Sequence, residues 1–356
     1  MHVRQVGALA DLDREQWDST LAQHAFYGST GWLDVAERTA DIPPFYLLTE
    51  SATLPCYPLS VDSPFPFCRI EFLVRNFLPD AGDLGARLMP ALVLGGRNPG
   101  HTGFGLARAA DPLAAARALA SAAEAAALDR GLRSVGMLYV DDDNEVARQV
   151  LAERGYASFP HARASVLDVP AGSLEDYVRS LGEYAVKAVR PEMRKIERAG
   201  VSFTHRPFGP DIADRVDELE AELNHKYGSP FDDKAVRRLR DTLVAALGDQ
   251  VMVSLAHRDG RAVGSVIVFR WRDELYVRTT GFDYAAIEGV PVYFGLLFYD
   301  LVSRAQRDGV RTIHYSTGTE DAKRRRGCRQ VLQHAYVKAF DPGLHAEFAA
   351  AAAARP

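Results

Sequence analysis

Gly289-Val-Pro-Val-Tyr-Phe-Gly-Leu-Leu-Phe-Tyr-Asp-Leu-Val-Ser-Arg-Ala-Gln-Arg-Asp-Gly309, followed by Val-Arg-Thr-Ile-His-Tyr-Ser316 and Thr-Gly-Thr-Glu-Asp-Ala-Lys323-Arg-Arg-Arg-Gly327, decides how this chain reads. Pro291 suits a first helical turn, where its missing N–H costs nothing, and Gly309 suits a left-handed helix end. Between them Val292, Leu296, Leu297, Tyr299 and Val302 recur at helical spacing. The β-branched run after Gly309 predicts a buried strand. A Ser-Thr-Gly turn ends that strand and delivers Lys323 just past its carboxyl end. Strand, loop, helix, strand and polar loop make a site, and the rest of the chain reads as its support.

Upstream of this stretch lies the clearest β signal in the sequence. Val251 to His257, Ala262 to Phe269 and Leu275 to Thr280 are predicted to form three antiparallel strands joined by tight turns. A helical excursion from Asp211 to Leu247 precedes them. Before it comes a basic helix, residues 184 to 198, in which Lys187, Arg190, Arg194 and Arg198 share a face. A solvated face is the default reading of such a ridge, with anion binding as the alternative.

The same layout occurs earlier. Asp129-Arg-Gly131-Leu-Arg-Ser-Val-Gly-Met-Leu-Tyr139 repeats in Arg307-Asp-Gly309-Val-Arg-Thr-Ile-His-Tyr315, and a short helix with a glycine follows each, at Gly155 and Gly327. Offsets of 178 and 172 residues indicate one α/β unit present twice in tandem. In the earlier copy, Leu88 to Leu94 is a strand and Asp111-Pro112 caps an alanine-rich helix that runs to Arg130. The glycine-rich run from Gly95 to Gly105 matches no strict phosphate motif and reads as a flexible connector. Residues 54 to 68 are too rich in proline for the inside of a sheet. Their Tyr57, Phe65 and Phe67 either line a pocket or pin a loop to the core, the second being the more ordinary role. The acidic run Asp141 to Glu145 reads as a helix cap, because it lacks the glycine of a calcium loop.

Composition bounds the answer. The chain has 356 residues, 47% hydrophobic and 25% charged, which is the composition of packed domains and not of disorder. No apolar run reaches bilayer length and the first residues carry charges, so a cytoplasmic location without a membrane span is expected. Cys56, Cys68 and Cys328 are scattered and odd in number, which predicts reduced thiols and no metal site. Net charge is −5, yet residues 161 to 356 carry 29 Lys and Arg against 27 Asp and Glu. A locally basic second half of that kind admits a polyanionic ligand.

Read in order, the elements of each copy resemble the GNAT N-acyltransferase fold, and two copies in tandem resemble the Fem-type, or FemAB-like, transferases. Tyr299 in the helix, Gly309, Gly318 and then Asp321-Ala-Lys323-Arg-Arg-Arg326-Gly327 are similar to that group's pattern of acid, residue, lysine, two residues, arginine and glycine. Gly31-Trp32 and Pro43 to Tyr46 are similar to the start of such proteins. The resemblance implies an α/β (α+β) fold of two GNAT-like domains, each a mixed, mostly antiparallel sheet flanked by helices. It places them at 1–160 and 161–345, with a helical insertion at about 208–248 and a flexible tail over 346–356.

Relatives of this kind transfer an acyl group to an amine, from aminoacyl-tRNA in Fem-type enzymes and from acyl-CoA in ordinary GNAT enzymes. No tightly bound cofactor is expected, and the partners are the donor and a small-molecule or peptidoglycan-precursor amine. The attacking amine must lose a proton and a tetrahedral oxyanion must be stabilised. Lys323 is the leading candidate for phosphate or oxyanion, Asp283 for the amine's proton, and Tyr315 for the leaving group. Arg278, Tyr299, Arg326, Lys187, Arg190 and Trp32 are candidates for substrate binding, and Gly289 and Val290 for the donor loop. His314 alternates with Tyr315 and reads as structural. A CoA-binding loop would bare N–H groups to pyrophosphate. Here Asp283 and Glu288 repel it and Pro291 lacks a donor, so aminoacyl-tRNA is the expected donor. Acyl-CoA transfer and a non-catalytic binding role are the alternatives.

Overall fold

A computed structural model describes residues 1–228 and 232–354. In chain order it has β1 (Arg4–Val6), α1 (Arg14–Ser19), α2 (Thr30–Arg38), β2 (Phe45–Leu48), β3 (Thr53–Leu59), α3 (Ile70–Phe77), α4 (Leu84–Arg87), β4 (Ala91–Leu94), α5 (Pro112–Asp129), β5 (Ser134–Asp141), α6 (Glu145–Glu153) and β6 (Ala157–Asp168). Then follow α7 (Leu174–Ser180), α8 (Glu183–Arg198), β7 (Ser202–Pro207), α9 (Pro210–Lys226), α10 (Asp233–Leu247), β8 (Val251–Arg258), β9 (Arg261–Trp271), β10 (Glu274–Phe282), α11 (Val292–Phe294), α12 (Leu301–Arg307), β11 (Thr312–His314), α13 (Glu320–Arg324), β12 (Arg329–Ala339) and α14 (Pro342–Ala353). A π-helical turn, Gly295–Asp300, joins α11 to α12 into one continuous helix.

The chain divides into two compact units, one made of Met1–Arg163 with the chain from Val331 onward, the other of Ala164–Gln330. In the first unit the sheet order is β1-β2-β3-β4-β5-β12, antiparallel except for the parallel β4–β5 step. In the second it is β6-β11-β10-β9-β8-β7, antiparallel except for the parallel β11–β10 step. A parallel step needs a crossover connection, and each unit supplies one helix for it, α5 in the first and α11 to α12 in the second. The repeat read from the sequence is therefore this crossover and its two strands.

Local chemistry accounts for the elements. The Asp111 side chain accepts from the Ala114 N–H at 2.9 Å to start α5, and its alanines bring the helix backbone close to the sheet. In the meander, Arg258 pairs with Arg261 across Asp259-Gly260, both at positive φ, the conformation that a two-residue hairpin turn demands. The second unit's core gathers Val266, Val268, Phe282, Leu296, Phe298, Val302 and Ile313 around the crossover helix.

Four expectations are corrected. The second half does not run to residue 345, because β12 pairs with β5 and so belongs to the first unit. The tail is helical as far as Ala353: Asp341 caps α14 and Phe348 is fully buried against Phe159, 6.2 Å between ring centroids. Residues 355 and 356 of that expected tail lie outside the described residues, as do 229–231 of the expected insertion, whose described part is α9 and α10.

The proline-rich segment does enter the sheet, as β3 between β2 and β4. Pro55 turns its backbone toward the end of β4, where its carbonyl accepts from the Gly95 N–H at 2.9 Å. Pro58, three residues on, turns to the opposite side, where β2 has already ended at Phe45. Each missing N–H thus falls where the neighbouring strand has run out. The Gly95–Gly105 run is packed, with residues 95–98 buried. A Cβ at Gly100 would lie 2.4 Å from the Tyr27 ring and one at Gly105 2.3 Å from Thr53, so these glycines serve close approach.

Candidate active site

The second unit holds a wedge. β10 pairs with β11 only from Glu274 to Tyr276, opposite Thr312 to His314, and then runs on to Phe282 against β9 alone. A register shift between Val277 and Thr279 puts Arg278 at a bulge just beyond the last parallel pair. Bulges re-aim backbone groups beside active sites. β11 meanwhile leaves the ladder through Tyr315 and Ser316, whose φ is +58°.

Lys323 closes that exit. It is buried, and Nζ donates to the carbonyls of Tyr315 at 2.7 Å, Thr317 at 3.0 Å and Ser316 at 3.3 Å. Burial pulls its ammonium down to about 8. All of its donors are spent on its own loop, so the structure gives it the work of fixing the wedge and not of meeting a phosphate. Tyr315 is equally committed: its Oη donates to the Leu297 carbonyl at 2.7 Å and its ring stacks on Phe298 at 4.7 Å. Burial holds the phenol well above its ordinary range, which suits packing better than proton donation.

Asp283 caps the turn that follows β10. Its carboxylate accepts from the Ala286 N–H at 3.0 Å and from Arg215 at 3.1 Å. That backbone bond, outweighing partial burial and helped by Arg215, lowers its pKa, the wrong direction for a base. Gly289 and Val290 line a hollow of about 410 Å³ with Pro191, Glu192, Lys195 and Pro291. The loop before it is folded on itself: Ile287 N–H donates to Asp283, Val290 N–H to Ile287 at 2.9 Å, and Glu288 N–H to Ala285.

Where the expected residues do converge is around Glu192, which the sequence reading did not select. Its carboxylate accepts from Arg326 at 2.9 and 3.1 Å and from the hydroxyl of Tyr299. The Arg326 guanidinium also lies 3.2 Å from the centroid of Phe294, and its carbonyl accepts from Tyr177 Oη at 2.8 Å. Tyr299 reaches this cluster from the π-helical turn, a distortion common at functional sites. The sequence offered no signal for Glu192 beyond an acid directly after Pro191, in a helix that also holds Glu183 and Glu197. Arg190 pairs with Glu175 and, with Tyr299, lines a cleft of about 520 Å³. Lys187 is exposed, and Trp32 is buried in the first unit, 4.9 Å from the Tyr27 ring. His314 is buried and stacks on Tyr276 at 4.3 Å.

A second missed carboxylate is Glu220 on α9. The helix lies so close to β10 that a Cβ on Gly281 would sit 2.5 Å from the Glu220 nitrogen. The side chain is bonded to Arg240 at 2.5 Å. Burial pushes its carboxyl up to about 7, against the pull of Arg278.

Residues 185–324 match the acetyltransferase (GNAT) domain family. No curated protein sequence matches the chain significantly. Among solved structures, FemX superposes with a TM-score of 0.65 at 10% identity, over 97% of this chain and 99% of its own. L-PGS from Bacillus licheniformis gives 0.57 at 10% identity, over 96% and 97%. A tandem GNAT protein from the clavulanic acid biosynthesis pathway gives 0.51 at 13% identity, over 96% and 99%. The shared folds establish a tandem GNAT fold for this chain, within which residues 185–324 are similar to the GNAT acetyltransferase domain family.

Proposed function

We propose that this chain is an N-acyltransferase that moves an aminoacyl group from aminoacyl-tRNA to an amine or hydroxylamine, in cell-wall or natural-product biosynthesis. The observation that carries the choice of donor is the loop after β10. A nucleotide pyrophosphate needs N–H groups aimed outward at a helix start. This loop turns several of its N–H groups back onto its own carbonyls, presents the exposed carboxylate of Glu288, and enters the helix through Pro291. Likeness in fold to FemX and L-PGS agrees with this reading.

In this reading the β10 bulge around Arg278 faces the reacting carbonyl, and backbone N–H groups of the wedge stabilise the oxyanion. Lys323 and Tyr315 hold the wedge open. Arg326, fixed by Glu192 and Tyr299, positions the donor. Lys187 and Arg190 on α8 offer phosphate contacts, and Gly289 with Val290 borders the donor.

A second reading, transfer from acyl-CoA, draws on the hollow beside Gly289 and Val290, where Lys195 supplies one cation. Thermal denaturation with charged tRNA and separately with acetyl-CoA decides between them. The expected result is a rise in Tm with charged tRNA that falls away as salt increases, and no rise with acetyl-CoA. A rise with acetyl-CoA alone overturns the choice of donor.

A further inference from the structure

The crossover helix of the second unit leaves a cleft of about 520 Å³ between itself, α8 and β7, a size usual for small-molecule sites. Its walls are mostly apolar, with Leu174, Met193, Ile196, Val201 and Phe203. The floor is closed tightly, since a Cβ on Gly295 would lie 2.7 Å from Ile196 and 2.9 Å from Phe203. Charges sit at two levels. Glu175, Arg190, Arg194 and Glu197 are exposed, where water screens them, and Arg190 is paired with Glu175. Asp300, from the π-helical turn, also lines the cleft, but its side chain is only 16% exposed.

Behind Asp300 stands a short chain of polar groups. His205 Nε2 on β7 lies 2.5 Å from Asp300 Oδ2, and His205 Nδ1 lies 2.6 Å from the hydroxyl of Ser254 on β8, a residue 1% exposed. Among the described residues that hydroxyl has no other side-chain hydrogen bond, so its proton goes to Nδ1 and the ring's own proton sits on Nε2, facing the carboxylate. A neutral imidazole orients Asp300 without cancelling its charge. Among the described residues no Lys or Arg reaches that carboxylate. Its neighbours are committed elsewhere: the Tyr299 hydroxyl donates to Glu192, and Ser303 Oγ accepts from Arg307 at 2.9 Å. The order of the chain rules out an activated serine, because Ser254 is the buried end and the carboxylate the open one.

We propose that this cleft binds a primary amine carried on an apolar body, with the ammonium on the Asp300 carboxylate and the body against Met193, Ile196 and Phe203. An ammonium brings N–H donors as well as charge, and a carboxylate oxygen among apolar walls takes both. A quaternary ammonium has no N–H and is held by aromatic cages, whereas the only rings lining this cleft are Phe203 and Tyr299. An anion of the same size would meet Asp300 as a like charge. The site lies wholly in the second unit, needs no acyl donor, and stands or falls apart from the acyl-transfer reading.

The test titrates the full chain with hexylamine, hexanol and hexanoate at constant pH and ionic strength, with tetramethylammonium chloride as a further control, and reads the melting temperature. The first three share a body and differ in charge. The expected result is a saturable rise of about 2–5 °C with hexylamine and none with the controls. Asp300→Asn keeps the shape and an acceptor for His205, and should weaken the apparent affinity about tenfold or more. Met193→Lys, at a partly exposed position of α8, supplies the cleft with an ammonium of its own and should abolish the rise, so the test stands even if the aspartate variant fails to fold. No response of the native chain, an equal rise with any control, or a response unchanged in folded Asp300→Asn or in Met193→Lys would overturn the proposal. None of these outcomes touches the donor assay.

Discussion

Burying an ammonium is tolerable at Lys323 because its donors meet three carbonyls. The burial still depresses its pKa from 10.5 to about 8, so between those values the unfolded chain binds more protons and stability rises with pH. The urea midpoint of the native protein should therefore climb between pH 8 and 10, and this part of the climb should be missing in Lys323→Met. That variant should also lose stability by about 2–4 kcal/mol at pH 7, since three carbonyls lose their donor. At Glu192, replacement by Gln removes the charge that Arg326 faces. A loss of about 1–3 kcal/mol by urea denaturation is expected, and a larger one in Glu192→Ala, which also strands the Tyr299 hydroxyl. Sequence reading found Tyr299 and Arg326 through their spacing in a motif, but Glu192 lies more than a hundred residues away in the chain. No periodicity records a partner brought in by tertiary packing. Lys323 was recognised for its position, while the direction of its side chain, inward onto its own loop, depended on where the neighbouring carbonyls turned.

Elements were legible where periodicity or turn chemistry was strong. The Asp259-Gly260 hairpin, the alanine-rich α5 and the crossover helix all follow from short-range rules. The π-helical turn inside that helix was not, because Gly295 to Asp300 has an ordinary apolar pattern and only packing decides the extra residue. The prolines of β3 misled for a related reason: a proline is excluded from a ladder only where a neighbour waits for its N–H, and strand ends cannot be read from sequence alone. The join between α9 and β10 leaves no room for a side chain at Gly281. Gly281→Ala would drive a methyl group to within 2.5 Å of the α9 backbone, where nothing flexible can yield. It should cost at least about 1–3 kcal/mol in thermal or urea denaturation and should perturb Glu220 and Arg278 together.

At the scale of the molecule, the tandem repeat was visible as two matching crossovers, whereas the ownership of the last strand was not. A strand's hydrophobic pattern says that it is buried, and says nothing of which sheet buries it. Because β12 pairs with β5, a chain ending at Gln330 should fail in its first unit. Hydrogen exchange would show this as lost protection across Ser134–Asp141, while β8 to β10 in the second unit stay protected. The same pairing bears on how the protein is born. When Asp141 leaves the ribosome, the residues that will cover its strand are still unsynthesised, and at about 5–20 residues per second they arrive roughly ten to forty seconds later. During that interval the nascent chain carries an open sheet edge, a template for wrong partners. Nascent-chain handling, by chaperones or by slow codons, is thus expected to matter more for the first half of this polypeptide than for the second.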